Sequence, residues 1–157
     1  MMRKLFSVTV IFFFFILSNN SNAQTVGTVY TSFEADSLYG EVIESYQIKS
    51  VELEKMVNMC KNYIMFKLEN GQIHILDDSR NILMSNLNSI EDSVVFHYYS
   101  VQKVKELLFR GGSLITTFEN RKKVFSVTNG FTTLEDSWNC PFVCPDELND
   151  YVSLYIK

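Results

Sequence analysis

The stretch of sequence that decides the fold runs from Tyr63 to Leu76 and reads YIMFKLENGQIHIL. Two apolar runs, Tyr63–Leu68 and Gln72–Leu76, lie on either side of Glu69-Asn70-Gly71. The runs are rich in Ile, Phe and Tyr, which favour strands, and Asn-Gly tolerates the positive φ angles of a type I′ turn. The segment therefore predicts a β-hairpin over residues 63–76.

A second hairpin is predicted further along the chain, over residues 113–128. Its two apolar runs, Ser113–Phe118 and Lys123–Thr128, flank the polar turn Glu119–Lys122. Lysine beside such a turn is common at sheet edges, where its charge discourages edge-to-edge pairing with other chains. The two hairpins together predict a small antiparallel sheet.

A helix is predicted between the hairpins, over residues 93–110. Apolar residues recur there at a spacing of three to four, which is typical of one helix face. They are Val94, Tyr98, Val101 and Leu108. Gly111 suits the position just after a helix. Because Phe96, Tyr99 and Leu107 would face the other way and the start of the segment (DSVVF) is rich in Val, either the first turn is a strand or the helix is covered on two sides. The strand is the less demanding of the two.

Shorter elements are predicted on the N-terminal side of the first hairpin. Residues 25–33 and 41–48 have the composition of strands, and the polar stretch 34–40 between them has that of a loop. Ser50 suits the N-cap of a short helix that continues to about Asn62, because apolar residues recur in it at helical spacing.

The C-terminal part predicts a loop followed by a helix. Pro145 suits the first helical position, and Asp146 and Glu147 suit the first turn, where carboxylates interact favourably with the helix dipole. A further strand is predicted at 82–87, and neither an internal repeat nor a regular βαβ alternation is visible. The chain is therefore predicted to form a single α+β domain over residues 24–157, with a sheet of two hairpins packed against the central and C-terminal helices.

Residues 1–23 predict a cleavable secretory signal peptide. Basic residues precede an apolar run, Leu5–Leu17, and Ser21-Asn22-Ala23 fits the small residues of a cleavage site. The run is shorter than the roughly 20 apolar residues that span a bilayer, which argues against a permanent anchor. We expect cleavage between Ala23 and Gln24 and an exported product, periplasmic or secreted, without stable insertion in the membrane.

The mature chain is predicted to be acidic. Loss of Arg3 and Lys4 with the leader leaves 12 of the 14 basic residues against 18 acidic ones, a net charge of −6. An acidic surface disfavours binding to nucleic acid, and to anionic lipid by charge alone. We therefore expect neither as a partner.

No pattern in the chain identifies a catalytic or metal site. His74 and His97 are isolated, and general base catalysis needs a partner within hydrogen-bond reach. The acidic turn at 77–81 lacks the alternating ligands of an EF-hand. Gly111-Gly112-Ser113 follows a helix instead of preceding one, unlike a phosphate-binding loop. We predict no catalytic residue, no metal and no cofactor.

The motif Cys140-Pro-Phe-Val-Cys144 is the most distinctive in the chain. Its cysteines have three residues between them, one more than in thioredoxin-type redox sites, and a zinc site would need two further ligands. Export favours a disulfide between Cys140 and Cys144, which leaves Cys60 as a buried thiol on an apolar helix face. A bridge from Cys60 to either of them is the alternative, because geometry decides pairing more than loop entropy does.

Aromatic residues outside the predicted core are the candidates for a binding surface, since exposed Tyr and Trp are enriched at protein interfaces. The candidates are Tyr39, Tyr99, Trp138 and Phe142. The alternative is that these side chains fold over the core.

These features favour a non-catalytic binding protein of the bacterial envelope, acting on a protein partner as an inhibitor, an immunity-type protein or an accessory subunit. Two alternatives stay open. One is a small exported hydrolase with a site assembled from distant residues, which would show a pocket holding a His or carboxylate of perturbed pKa. The other is a carrier of an apolar ligand between sheet and helix.

Overall fold

The hairpin at residues 63–76 lies at the centre of one of two antiparallel sheets. The structure, a computed structural model, describes residues 25–91 and 93–140, and the predicted signal peptide and C-terminal helix lie outside them. Within these residues the strands are β1 (Thr28–Thr31), β2 (Val42–Lys49), β3 (Tyr63–Glu69), β4 (Gln72–Asp77), β5 (Ile82–Met84), β6 (Phe96–Ser100), β7 (Ile115–Arg121), β8 (Phe125–Asn129), β9 (Thr132–Glu135) and β10 (Trp138–Cys140). The helices are α1 (Ser32–Tyr39), α2 (Ser50–Val57) and α3 (Val101–Gly111).

Two sheets of five strands replace the one small sheet expected, and the predicted α+β class is confirmed. Sheet A has the strand order β1-β9-β8-β7-β2, and sheet B has the order β10-β6-β3-β4-β5. The turn between β3 and β4 has Asn70 and Gly71 at φ angles of 54° and 70°. These are the positive values that a type I′ turn requires of both central residues.

The helix predicted over residues 93–110 is in fact two elements, β6 followed by α3. β6 lies inside sheet B between β10 and β3, and its Phe96, Tyr98 and Tyr99 are fully buried. A strand buried on both faces is apolar at nearly every position, so periodicity does not distinguish it from a helix. The strand offered as the alternative for the start of this segment exists but lies later than expected: of the DSVVF stretch it includes only Phe96, and it continues to Ser100.

A helix, α1, replaces most of the loop predicted at 34–40. It begins with a capping box, in which Thr31 Oγ1 accepts a hydrogen bond from the Glu34 N–H (3.2 Å) and Glu34 Oε2 accepts one from the Thr31 N–H (2.9 Å). The T-x-x-E pattern is a sequence signal for such a start. Ala35 is the one residue of α1 that is buried. The helix therefore has a polar composition, which hides the capping signal.

The second hairpin has a later turn than expected, and two unexpected strands follow it. β7 continues to Arg121 and β8 begins at Phe125, so Glu119 lies in a strand instead of in the turn. Arg121 Nη2 lies 2.7 Å from Glu119 Oε2, an ion pair between alternate residues of the strand. β9 and β10 occupy the stretch predicted to be a loop through Trp138.

The fold consists of two halves with the same order of elements, although no repeat is visible in the sequence. Each half is a strand, a helix and a three-stranded meander: β2-α2-β3-β4-β5 and β6-α3-β7-β8-β9. The first strand of each half pairs with the meander of the other half. Lys49 at the end of β2 pairs with Ile115, the first residue of β7, and Ser100 at the end of β6 pairs with Tyr63, the first residue of β3.

One core joins the two halves, because each helix crosses from one sheet to the other. Phe66 of β3 and Phe118 of β7 occupy equivalent positions, and their ring centroids lie 5.2 Å apart. Phe125 of β8 stacks on both. Helices α2 and α3 contribute to the same core through Leu53, Met56, Val57, Val101, Val104 and Leu107. A second, smaller cluster lies on the other face of sheet B and includes Met65, Phe96 and Tyr98.

Candidate functional site

A groove of about 860 Å³ lies between the start of α2 and the end of α3. We call it the apolar groove. Residues 49–51, 54 and 58 line it from the first half, and residues 105, 108, 109 and 112–115 line it from the second. Four large apolar side chains in it are exposed, by 53 % at Val51, 89 % at Phe109, 86 % at Leu114 and 42 % at Ile115. Clustered exposure of this kind is typical of interaction sites.

Asn129 holds the segment that carries Leu114 and Ile115. Its side chain is fully buried, and Nδ2 lies 2.8 Å from Ser50 Oγ and 3.1 Å from the carbonyl oxygens of Ser113 and Ile115. Its Oδ1 accepts a hydrogen bond from the Ser113 N–H at 3.0 Å. The wall of the groove is therefore fixed to the starts of α2 and β7 before any partner binds.

A close backbone contact places a further aromatic residue beside the same segment. A Cβ atom on Gly111 would lie 2.2 Å from the carbonyl oxygen of Asn129, and one on Gly130 would lie 2.6 Å from that of Gly111. Only glycine fits such an approach. Phe131, which follows Gly130, is 89 % exposed. The turn between β8 and β9 thus lies against the end of α3 and carries an exposed aromatic residue.

The molecule contains a second groove at the equivalent place in the other half. The Ser50 N–H donates to the Leu114 carbonyl and the Val101 N–H donates to the Asn62 carbonyl, both at 2.8 Å. These matching bonds make Leu114 equivalent to Asn62 and the next helical residues, Val51 and Gln102, equivalent to each other. We call the second site the polar groove; it measures about 340 Å³ and is lined by residues 25, 61, 62, 100–102 and 105. The fold therefore accepts polar side chains where the apolar groove has Val51 and Leu114.

Two lysines adjoin the apolar groove, Lys49 and Lys105, together with one acid, Glu54. Within the described residues neither lysine makes an ion pair, whereas Lys103 and Arg110 of α3 both pair with Glu106, at 2.9 and 2.8 Å. The groove is thus locally basic in a chain whose predicted mature form is acidic. Lys105 also lines the polar groove.

A cluster of charged residues, in which Arg121 and Glu135 are buried and Asp36 is exposed, lies on the outer face of sheet A beneath α1. Arg121 Nη1 donates to Asp36 Oδ1 at 2.6 Å, and Arg121 Nε lies 3.7 Å from Glu135 Oε1. The same Glu135 oxygen accepts a hydrogen bond from Ser126 Oγ at 2.6 Å, and burial raises the pKa of Glu135 to about 7. A raised pKa is a feature of catalytic acids. Here the side chains of Glu135 and Ser126 are fully buried, so no substrate reaches them, and the cluster attaches α1 to the sheet.

His74 lines a pocket that measures about 240 Å³. Its Nδ1 lies 2.8 Å from Ser85 Oγ, and a Ser–His contact is an element of nucleophilic catalysis. Ser85 does not line the pocket, however, and its Oγ accepts a hydrogen bond from the Leu87 N–H at 2.9 Å. Burial lowers the pKa of His74, and among the described residues no carboxylate bonds its second nitrogen. The contact stabilises the turn after β5.

His97 has a structural environment as well. Its Nδ1 lies 3.1 Å from Ser137 Oγ, and its ring stacks on Phe125 with a centroid distance of 5.1 Å. Burial lowers the pKa of His97 to about 4, so the ring is neutral at physiological pH.

Two of the aromatic residues predicted to form a binding surface, Tyr39 and Trp138, are partly exposed. The Tyr39 hydroxyl donates to Asp136 Oδ1 at 2.8 Å. The Trp138 ring packs edge-on against Tyr98, with centroids 6.2 Å apart. Phe142 lies outside the described residues. The structure does not place Tyr39 or Trp138 among the lining of the apolar groove.

The assignment of Tyr99 to a binding surface is wrong. Tyr99 is fully buried, and its hydroxyl donates to the carbonyl oxygens of Phe125 (2.7 Å) and Leu134 (3.3 Å). Neighbouring residues of a strand point to opposite faces. Because β6 lies inside sheet B and both its faces are covered, Tyr98 and Tyr99 enter two different apolar clusters.

Cys60 is a free, buried thiol, as predicted. It donates to the Met56 carbonyl oxygen at 3.3 Å, and burial raises the pKa of the Cys60 thiol to about 12, so it stays protonated. Cys140 is fully buried in β10. Because Cys144 lies outside the described residues, the Cys140–Cys144 disulfide stays a prediction.

The residues of the apolar groove are absent from the binding surface predicted from sequence. Leu114 and Ile115 belong to a run assigned to a hairpin strand, and such runs are expected in the core. Phe109 carried the available signal, because it follows Leu107 and Leu108 and so lies away from the buried face of α3, which consists of Val101, Val104 and Leu107.

Comparison with protein-family models, with curated proteins and with solved structures finds no match for this chain. In the part of the chain that the structure describes, none of the helices has the length and apolar character to cross a membrane. That part also contains no group of three or more His, Cys, Asp or Glu side chains arranged to hold a metal ion. The candidate site is therefore the apolar groove, and geometry alone supports it.

Proposed function

We propose that this protein is an exported, non-catalytic binding module of the bacterial envelope, and that the apolar groove holds a protein partner. The observation that carries the proposal is the difference between the two equivalent grooves. Gln102 and Asn62 occupy one of them without any defect in the fold, while Val51 and Leu114 stay exposed in the other. Exposed apolar area that the fold does not need is explained by a partner that covers it.

The alternative functions have less support. A hydrolase needs an accessible base or nucleophile, whereas Glu135 is sealed and the His74–Ser85 contact belongs to a turn. A carrier encloses most of a small ligand, whereas the apolar groove is open and has exposed Phe109 and Leu114 at its border. Both features favour a macromolecule over a small molecule.

We further propose that Cys140 and Cys144 form a disulfide in the exported protein. The proposal rests on their spacing and on Cys60, which is buried and free. Alkylation of oxidised protein in denaturant is expected to modify one thiol per chain, at Cys60. If Cys60 is modified only after reduction, the pairing involves Cys60 and this proposal is wrong.

Site-specific photo-crosslinking in the source bacterium tests the binding function. A benzophenone amino acid is placed at Leu114 in the groove, or at Ile43, which is 72 % exposed at the far end of β2. We expect a discrete crosslinked protein from position 114 and none from position 43. The same experiment in a Val51→Gln background is expected to lose the product.

The controls separate a specific partner from general stickiness. An Ile43→Asn variant removes a comparable exposed side chain and is expected to leave the crosslink from position 114 intact. Equal crosslinking from both positions, or no protein product from position 114 in the native envelope, contradicts the proposed function.

A further inference from the structure

We infer that the partner segment held in the apolar groove is amphipathic, with an apolar face and flanking carboxylates; this inference rests on the proposed function. The groove lies between two helices and exposes Val51, Phe109 and Leu114 along it. A groove between helices that offers several apolar anchors is suited to the apolar face of an amphipathic helix. The floor of the site therefore selects an apolar stripe.

The charged residues beside the groove favour carboxylates on either side of the apolar stripe of the partner segment. Lys49 and Lys105 line the site, and neither forms a salt bridge with a described residue. Glu54 is the one acid among the lining residues. Elsewhere on α3 the basic side chains of Lys103 and Arg110 are neutralised by Glu106. Complementary charge at an interface gives specificity and faster association. Carboxylates beside the apolar stripe would meet these two lysines.

The backbone at the start of α2 also favours a negatively charged group in the groove. The N-cap of α2 is Lys49, whose side chain makes no capping hydrogen bond to the helix. The first N–H groups of a helix lack internal acceptors and carry the positive end of the helix dipole. The Ser50 N–H already donates to the Leu114 carbonyl and Glu52 lies in the first turn, so this positive end adds only a minor part to the charge of the two lysines.

Other occupants fit less well. In a symmetric contact between two copies of this chain, the lysines and the positive end of α2 would lie within one shared interface, where like charges oppose association. An anionic membrane is an extended surface that would meet the acidic remainder of the mature chain, of expected net charge −6, whereas a single segment in the groove meets chiefly the two lysines beside it. An acidic amphipathic segment uses both the apolar floor and the positive border.

Labelled helical peptides test the inference by fluorescence anisotropy on the mature protein. Three peptides share one Leu and Phe face and carry Glu, Gln or Lys on its flanks, and a fourth keeps the Glu flanks but has a scrambled apolar face. We expect the Glu peptide to bind about tenfold more tightly than the Lys peptide at low salt, a difference that shrinks as salt rises. The scrambled peptide is expected not to bind.

Two double variants assign the effect to the groove. Lys49→Gln with Lys105→Gln is expected to remove the preference for Glu over Lys flanks while the Gln peptide still binds. Val51→Gln with Leu114→Asn is expected to abolish binding of all the peptides. Ile43→Asn serves as the matched control and is expected to change nothing. Circular dichroism of each variant checks that it is folded.

The outcomes distinguish this inference from the proposed function. If the wild-type protein binds Glu and Lys peptides equally, or binds none while position 114 still crosslinks to a protein, the inference is wrong and the proposed function stands. A dimer that dissociates in the Leu114→Asn variant on sedimentation, or binding to phosphatidylglycerol vesicles that this variant loses, replaces the proposed occupant by a second copy or a membrane. Loss of the crosslink as well as of peptide binding removes both proposals.

Discussion

The apolar groove and the polar groove occupy equivalent positions in the two halves, and matching hydrogen bonds build both of them. The Ser50 N–H meets the Leu114 carbonyl in one, and the Val101 N–H meets the Asn62 carbonyl in the other, at 2.8 Å in each case. The side chains nevertheless differ in kind. Because the same backbone hydrogen bond builds both sites, the second groove acts as an internal control, and it shows that the fold does not require apolar side chains at the positions of Val51 and Leu114.

Different side-chain hydrogen bonds hold the loops beside the two grooves. Asn129 at the end of β8 both donates to and accepts from the segment 113–115. In the first half, Asp78 after β4 only accepts, from the Asn62 N–H at 3.1 Å. An amide that serves several buried groups holds its loop more firmly than a partly exposed carboxylate does. We therefore expect the apolar groove to be the more rigid of the two.

The largest effect on stability is predicted for substitutions in the core that the two halves share. Phe66→Ala and Phe118→Ala are each expected to lower the free energy of unfolding by about 3–5 kcal/mol, since both rings are fully buried at equivalent positions. Urea denaturation followed by circular dichroism measures this. If one variant is destabilised and the other keeps wild-type stability, the two halves do not form one core.

Asn129 and Asp78, which hold the loops beside the two grooves, are expected to contribute differently to the free energy of unfolding. Asn129→Ala should lower the free energy of unfolding by about 3 kcal/mol, because the carbonyls of Ser113 and Ile115 lose their buried donor. Asp78→Ala should lower it by about 1 kcal/mol, since its carboxylate is partly exposed. The same urea titration compares them, and equal losses would contradict the difference in rigidity.

Glu135 in sheet A predicts one contribution to the pH dependence of stability, and His97 in sheet B, whose pKa is lowered, predicts another of opposite sign. Burial raises the pKa of Glu135 from 4.5 to about 7, so the folded state favours the protonated carboxyl. The stabilising contribution of this group is fully present below pH 4.5 and is lost as the pH rises through 7. The loss corresponds to at most about 3 kcal/mol.

Glu135→Gln tests this assignment, because glutamine has nearly the same shape and does not titrate. The variant is expected to lose the Glu135 contribution between about pH 4.5 and 7, to keep that of His97, and to be more stable than the wild type at pH 8. Denaturant titrations across this range measure both quantities. An unchanged pH dependence would assign the titration to another group.

The smallest effect on stability is expected when the grooves exchange their chemistry. Val51→Gln with Leu114→Asn makes the apolar groove polar, and Gln102→Val with Asn62→Leu makes the polar groove apolar. Each substitution on these surfaces should change the free energy of unfolding by less than about 0.5 kcal/mol. Fluorescence of the apolar dye anilinonaphthalene sulfonate should fall in the first variant and rise in the second. A fall in both would mean that the grooves are not equivalent.

The sequence predictions were most successful for features that depend on a few residues close together in the chain. Asn70-Gly71 specified its turn because the positive φ angles depend on those two residues alone. Most of β6 falls within the predicted helix, whose first turn alone was offered as a strand, because burial on both faces removes the alternation that marks a strand. The signal for α1, Thr31 and Glu34, was present but was outweighed by a polar composition typical of loops.

The sequence by itself determined the α+β class, the first hairpin, the buried free Cys60 and the expected acidity of the mature chain, because these depend on composition or on residues close together in the chain. Only the tertiary structure decided which strands pair and which apolar side chains remain exposed. Lys49 pairs with Ile115, and Ser100 pairs with Tyr63, across long stretches of chain. Since Leu114 has the same local pattern as a core residue, its exposure depends on what the rest of the chain covers, and no local pattern specifies that.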